Sequence, residues 1–261
     1  MTKKLLITFV VMFVALLTII GFILIKDSGK DIRPITSTVE PSKTPVAEPT
    51  VEPTVEPTMD PESDPRFTST DSVLVFANKK HKLPDGYVPG DLVSLGVSTA
   101  YGDVQMRQEA ADAIANMFNA ANAEGIYPVV TTAYRGEDFQ RQLYDNYVNR
   151  DGQEAADTYS SRPGYSDHQT GLAADISCAS NGYNLNRDFE NTAEGQWLAQ
   201  HAHEYGFVMR YPDGKQDITG YMYEPWHFRY IGVEEATALY NTDPNMTMEE
   251  YYGISGGNYA A

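Results

Sequence analysis

Residues 34–65 read PITSTVEPSKTPVAEPTVEPTVEPTMDPESDP, and this stretch limits where the chain can fold. Proline removes backbone donors and favours extended polyproline II, and the glutamates of the repeated Val-Glu-Pro-Thr unit repel one another. A segment of this composition cannot bury a core. At about 3.1 Å per residue it could reach on the order of 90 Å. Residues 5–25, LLITFVVMFVALLTIIGFILI, carry no charge and follow Lys3 and Lys4. At about 1.5 Å per residue such a run crosses a hydrocarbon core of about 30 Å. It is longer than the apolar core of a signal peptide, about 7–15 residues, and no Ala-x-Ala site follows it. Lys3 and Lys4 favour an inside N-terminus, Lys26, Lys30 and Arg33 oppose it, and a stalk suited to an outer membrane face decides between them. The sequence therefore predicts a cytoplasmic N-terminus (1–4), a single-pass transmembrane anchor in the cell membrane (5–25), a disordered stalk (26–65) and an extracytoplasmic domain (66–261).

Within that domain the apolar residues alternate between two periods. VQMRQEAADAIANMFNAANAEG sets Met106, Ala110, Ile114, Met117, Phe118 and Ala121 near helical spacing and stops at Gly125. IYPVVTTAYR reads as a strand, EDFQRQLYDNYV as a helix with Phe139, Leu143 and Tyr147 on one face, and GLAADIS as a strand. TAEGQWLAQHAHEYG is a predicted helix with Thr192 as cap and Gly206 as stop. FVMRYP and YEPWHFRYIG are predicted strands, and TMEEYYG carries a capping box between Thr247 and Glu250. Strands and helices do not alternate regularly, so the expected class is α+β: a small, mostly antiparallel sheet with helices packed on it. The single cysteine, Cys178, excludes an internal disulfide framework. A net charge of −17 argues against nucleic acid as a partner, and against adhesion to anionic lipid heads.

Of the five histidines, His81 lies in a basic polar turn, and His201 and His203, two apart on a predicted helix, face different ways. These three are expected to be structural or at the surface. His168 differs, because it stands in Ser166-x-His168-x-x-Gly171-x-Ala173-x-Asp175, where small residues allow close approach. Its neighbour Asp167 is expected to be solvated. His227 follows Glu224 by three. Two histidines and one carboxylate form a catalytic zinc set with the fourth position open, and a further glutamate can act as base. In a straight strand Glu224 and His227 would point to opposite faces, so Pro225 must mark a bulge or turn that brings them together. A di-iron reading of Glu-x-x-His needs a second such motif, and the domain has one. Residue types and spacing alone leave metal binding and ordinary hydrogen bonding both open.

The two-part motif, Ser166-x-His168-x-x-Gly171-x-Ala173-x-Asp175 followed by Glu224-x-Trp226-His227, resembles that of the VanY-type D-alanyl-D-alanine carboxypeptidases. These are zinc-dependent peptidoglycan peptidases, a group that includes VanX-type dipeptidases and L,D-carboxypeptidases. AYRGEDFQRQLY is similar to a Tyr-Arg-Ser-x-x-x-Gln segment of the family, with Gly136 where serine is common. The resemblance covers most of the domain but not the anchor or stalk. It implies zinc held by His168, Asp175 and His227, Glu224 as general base, and Arg135 as oxyanion stabiliser. It further implies that Arg135, Gln140, Ser166 and Tyr211 position the substrate. The implied partner is a peptidoglycan stem peptide that loses its terminal D-alanine. An L,D-carboxypeptidase and a non-catalytic wall-binding module are the alternatives.

Overall fold

The structure, a computed structural model, describes residues 60–259. The predicted anchor, and the stalk up to residue 59, lie outside the described residues. Order begins earlier than residue 66. Asp60 caps a 3-10 turn, Pro61–Ser63, and Asp64 caps a single helical turn, Pro65–Thr68, whose Phe67 is buried. Glu62 accepts from the Ser255 N–H at 2.6 Å and lies 2.6 Å from His81 Nε2. Residues 60–65 therefore belong to the folded domain. Aspartate before proline reads as stalk from composition, yet it is also a good helix start, with a capping oxygen and no wasted donor.

The expected α+β class is found, as two antiparallel sheets with helices packed on them. Strands β1 (Leu92–Ser94) and β2 (Gln105–Arg107) form a two-stranded ribbon. The larger sheet has four strands: β3 (Val129–Thr132), β4 (Ala173–Ser177), β5 (Phe207–Met209) and β6 (His227–Tyr230). Their order is β3-β4-β6-β5, and every pairing is antiparallel. The helices of a turn or more that matter here are α1 (Gln108–Ala123), α2 (Glu137–Asp151), α3 (Ala193–His201), α4 (Val233–Thr242) and α5 (Met248–Tyr252).

Helix α1 buries Ala110, Ile114, Met117, Phe118 and Ala121, the stripe its spacing predicts. Met106 also enters the core, but from β2. Thr192 caps α3 through its hydroxyl, Gly206 at φ 86° ends the 3-10 turn that follows, and the Thr247–Glu250 capping box is formed on α5. Helix α2 departs from expectation. It buries Gln140 and Tyr144, leaves Phe139 60% exposed, and turns Leu143 and Tyr147 to a cavity. The helix sits at the rim of a pocket, so its apolar residues divide among core, cavity and solvent.

Strand β4 is buried along its whole length. Ala174 and Ile176 point into the main core, while Ala173, Asp175 and Ser177 take the other face. Between two neighbours, and covered on both faces, a strand has room only for small or well-packed side chains. Gly171 just before it has φ 70°, and a Cβ there would lie 3.0 Å from Arg107 Cγ and from Leu92 Cδ2. The small residues of this segment thus serve close packing of sheet and ribbon. None of Gly171, Ala173 and Ala174 lines the cavity, so the close approach that small residues allow here is that of the ribbon and not of a ligand.

Candidate active site

The sheet register builds the centre. Asp175 of β4 and His227 of β6 are direct cross-strand partners, so their side chains share one face. His168 comes from the 3-10 turn Asp167–Thr170 that feeds β4. The chain leaving β3 clasps it. Ala133 O accepts from His168 Nδ1 at 2.8 Å, and the Arg135 N–H donates to His168 O at 3.3 Å. A carbonyl can only accept, so Nδ1 carries the hydrogen and Nε2 is left with a lone pair, free to accept or to bind a metal. That Nε2 lies 3.3 Å from Asp175 Oδ2, and His227 Nδ1 lies 3.0 Å from Asp175 Oδ1.

Glu224 reaches the same face because the strand does not begin until His227. Residues 224–227 form a turn in which the His227 N–H donates to Glu224 O at 3.1 Å, with Pro225 second in the turn. The turn that the sequence requires is present. Glu224 Oε2 sits 3.6 Å from His227 Nδ1. Its backbone N–H is tied to Tyr211 O at 3.1 Å.

The electrostatics separate the groups. Burial pushes the Glu224 carboxyl up to about 8; Asp175 adds to the rise, and His227 and Arg135 oppose it. Burial and the positive charge of Arg135 lower His168, against the pull of Asp175. Burial opposes ionisation of Asp175, but His168 and His227 beside it hold the carboxyl far below its usual range. Burial would also lower His227, yet a hydrogen bond to Asp167 and the negative charge of Asp175 beside it raise it to about 9.

One ligand atom from each of His168, Asp175 and His227 lies within 4.8 Å of the others, and all three residues are buried. Asp175 Oδ1 is buried without an aligned hydrogen-bond partner, although His227 Nδ1 is 3.0 Å away. Two polar atoms that converge without bonding to each other suit a shared cation. Tetrahedral zinc with bonds of about 2.0–2.1 Å sets neighbouring ligand atoms about 3.3 Å apart. The separations of 3.3 Å from His168 Nε2 to Oδ2 and 3.0 Å from His227 Nδ1 to Oδ1 are of that order, each to a different oxygen of Asp175. Two neutral imidazoles and one carboxylate also form a typical catalytic zinc donor set.

A cavity of about 670 Å³ opens over this centre. Arg135, Ser166 and Tyr211 line it, as expected of substrate-contacting residues. Among the described residues the Arg135 guanidinium makes no ion pair, and its Nε is buried without a partner. It stands ready for an anionic group. Tyr211 lays its ring against His227, with centroids 4.9 Å apart. Gln140 does not line the cavity. It lies behind the wall, donating to Ser161 O at 2.7 Å and to Ser160 Oγ at 3.3 Å, so it supports two residues that do line it. Ser161, with Tyr221 at 2.8 Å from its hydroxyl, was not singled out by sequence reasoning. Its place depends on contacts some sixty residues apart.

Asp167 contradicts its expected solvation. It is 1% exposed, ion-paired to Arg229, and within 3.2 Å of His227 Nε2 through Oδ2. Nothing local to the sequence marks it, because its partners lie sixty residues away in β6. The other three histidines are structural, as expected. His81 bridges Asn78 and Glu62, His201 pairs with Glu204, and His203 stacks on Tyr240 at 3.7 Å. Gly136 sits at the N-cap of α2, where a Cβ would lie 3.2 Å from Tyr134 Oη. A serine there would press on that hydroxyl.

Residues 103–233, which carry every element of this centre, match the model of the family described as VanY: D-alanyl-D-alanine carboxypeptidase. The chain belongs to the VanY family. Membership makes it a metallocarboxypeptidase of the D-alanyl-D-alanine type, and its donor set is one for zinc. YodJ of Bacillus subtilis is 44% identical over 186 residues, 70% of this chain and 67% of that protein. Among solved structures, the LdcB LD-carboxypeptidase is 40% identical with a TM-score of 0.67, over 73% of this chain and 90% of that one. The vancomycin resistance D,D-pentapeptidase VanY of a VanB-type cassette, solved as a mutant in complex with Zn(II), is 30% identical. Its TM-score is 0.57, over 69% of this chain and 98% of that one.

Proposed function

We propose that the protein is a zinc D,D-carboxypeptidase that removes the terminal D-alanine of peptidoglycan stem peptides. The observation that carries this reading is the buried His168–Asp175–His227 group with Glu224 on the same face and Arg135 lining the cavity over it, its Nε unpartnered among the described residues. His168, Asp175 and His227 would hold the ion. Zinc there would supply a Lewis acid for the scissile carbonyl and lower the pKa of an attacking water towards about 7. Glu224, whose carboxyl lies 3.6 Å from His227 Nδ1 on the same face, is placed to take a proton from that water and pass it to the leaving amine. Arg135 offers its free guanidinium to the oxygen where negative charge develops. Ser166 and Tyr211 orient the peptide at the cavity wall, and Gln140 acts through Ser160 and Ser161. The filled donor set with its base leaves no feature that favours a non-catalytic wall-binding role.

A second reading, L,D-carboxypeptidase, draws on the identity of 40% to LdcB against 30% to the D,D-pentapeptidase. Incubating the enzyme with a stem pentapeptide and, separately, a tetrapeptide distinguishes the two. D-alanine from the pentapeptide supports the D,D reading. Release from the tetrapeptide alone replaces it with the L,D reading. Release from neither refutes both.

The uncharged run at residues 5–25 and the proline-rich segment after it support a membrane-anchored, extracytoplasmic placement. Protease treatment of intact cells stripped of wall should remove the domain and leave the anchor. Full protection of the domain would overturn this placement.

A further inference from the structure

We infer that Asp167 is a positioning residue for the metal centre: its buried carboxylate fixes the His227 ring with Nε2–H turned inward, so that Nδ1 is presented to the ion. The inference rests on the zinc reading proposed above. Asp167 Oδ2 lies 3.2 Å from His227 Nε2. An ionised carboxylate only accepts, so the ring hydrogen must be on Nε2. The remaining nitrogen, Nδ1, is the one 3.0 Å from Asp175 Oδ1.

Asp167 is itself held from behind. Its Oδ1 is paired with Arg229 Nη1, and Arg210 Nε stands 4.0 Å from Oδ2. Arg229 also donates to Val75 O at 2.7 Å, Val73 O at 3.0 Å and Tyr230 O at 3.0 Å. Arg210 is clamped by Glu249 of α5 through contacts of 2.6 and 2.7 Å. Two arginines and two carboxylates are thus buried together with no net charge.

Stability alone is a poor reason for this arrangement. Buried ion pairs rarely outperform well-packed apolar side chains, because desolvation opposes them. Their placement does have a use. A metal-bound histidine needs its outer N–H held by an acceptor, and a charged acceptor makes the ring a stronger donor to the metal. His168 receives the neutral carbonyl of Ala133 for this purpose, and His227 receives a carboxylate. Asp167 precedes one ligand in the chain and holds the other through its side chain, so one turn of backbone sets both rings.

The test uses the zinc-loaded full-length protein. Histidine 15N NMR should show His227 protonated at Nε2 and His168 at Nδ1. A His227 protonated at Nδ1 would overturn the inference, and this readout needs no variant. Zinc affinity, measured by competition with a chelator, should fall about 10–100-fold in Asp167→Asn. Glu249→Gln, which breaks the far end of the same network, should stay within about threefold of wild type. Unchanged affinity in Asp167→Asn, or equal losses in the two variants, would reduce the network to a folding role. Wild-type protein that binds no zinc would instead refute the metallocarboxypeptidase reading itself.

Discussion

Glu224→Gln should make the enzyme nearly inactive and, once zinc is stripped, more stable. The amide keeps the shape of the side chain and its place in the 224–227 turn, but it cannot take a proton. Loss of a general base lowers turnover by about 10²–10⁴-fold. The stability gain follows from burial. Glu224 is 7% exposed, and its carboxyl is raised from 4.5 to about 8. A raised value means that the folded protein favours the neutral form. The contribution to stability is whole below pH 4.5 and is lost as pH rises through about 8. Between pH 4.5 and pH 7 that penalty builds to an upper limit of about 3 kcal/mol, at about 1.36 kcal/mol for each step of one in pH. For a domain of this size that is a rise in melting temperature of roughly 6–12 °C. Peptide hydrolysis with zinc, and thermal unfolding in chelator at pH 7 and pH 4, measure both effects. The advantage should vanish at pH 4, where the carboxyl is neutral in both states. A variant within tenfold of wild-type turnover refutes the base assignment. A stability gain that persists unchanged at pH 4 refutes the burial argument.

Chelation should abolish hydrolysis, and added zinc should restore it; activity that survives exhaustive chelation would remove the metal from the mechanism. Arg135→Lys should lower kcat by about 10²–10³-fold while zinc content by metal analysis stays at wild-type level. Metal-stripped protein should lose stability as pH rises, because His227 is raised from 6.5 to about 9. That contribution is present below pH 6.5 and gone above 9, so a denaturation series over this window should fall, and saturating zinc should flatten it. Gly206→Ala should destabilise the fold by about 2 kcal/mol or more, since φ is 86° and a Cβ would lie 2.6 Å from Tyr230 Cε2; urea unfolding would show it.

Much was legible in the chain order itself. The stripe of α1, the Thr192 and Thr247 caps and the αL glycine at Gly206 depend on neighbours within a few residues, and local spacing reports them directly. The ligand types were legible too. His168 and Asp175 are close in the sequence, and Pro225 signals the turn that aligns Glu224 with His227. What spacing could not supply was the partner across the sheet. The pairing of Asp175 with His227 is a register of β4 on β6, and one step of slip would turn His227 to the other face. Asp167 reads as a surface residue because its neighbours Ser166, His168 and Gln169 are polar. Its burial comes from Arg229 and Arg210, which reach it only after β5 and β6 have joined the sheet. In the same way Gln140 lies behind the cavity wall and Phe139 faces solvent, since the place of α2 at the rim of the pocket, and not its spacing, decides which helix face is inner. The sequence alone determined the local elements and the chemistry on offer. Tertiary structure decided which groups meet, because burial, register and long-range charge pairing are properties of the assembled layers.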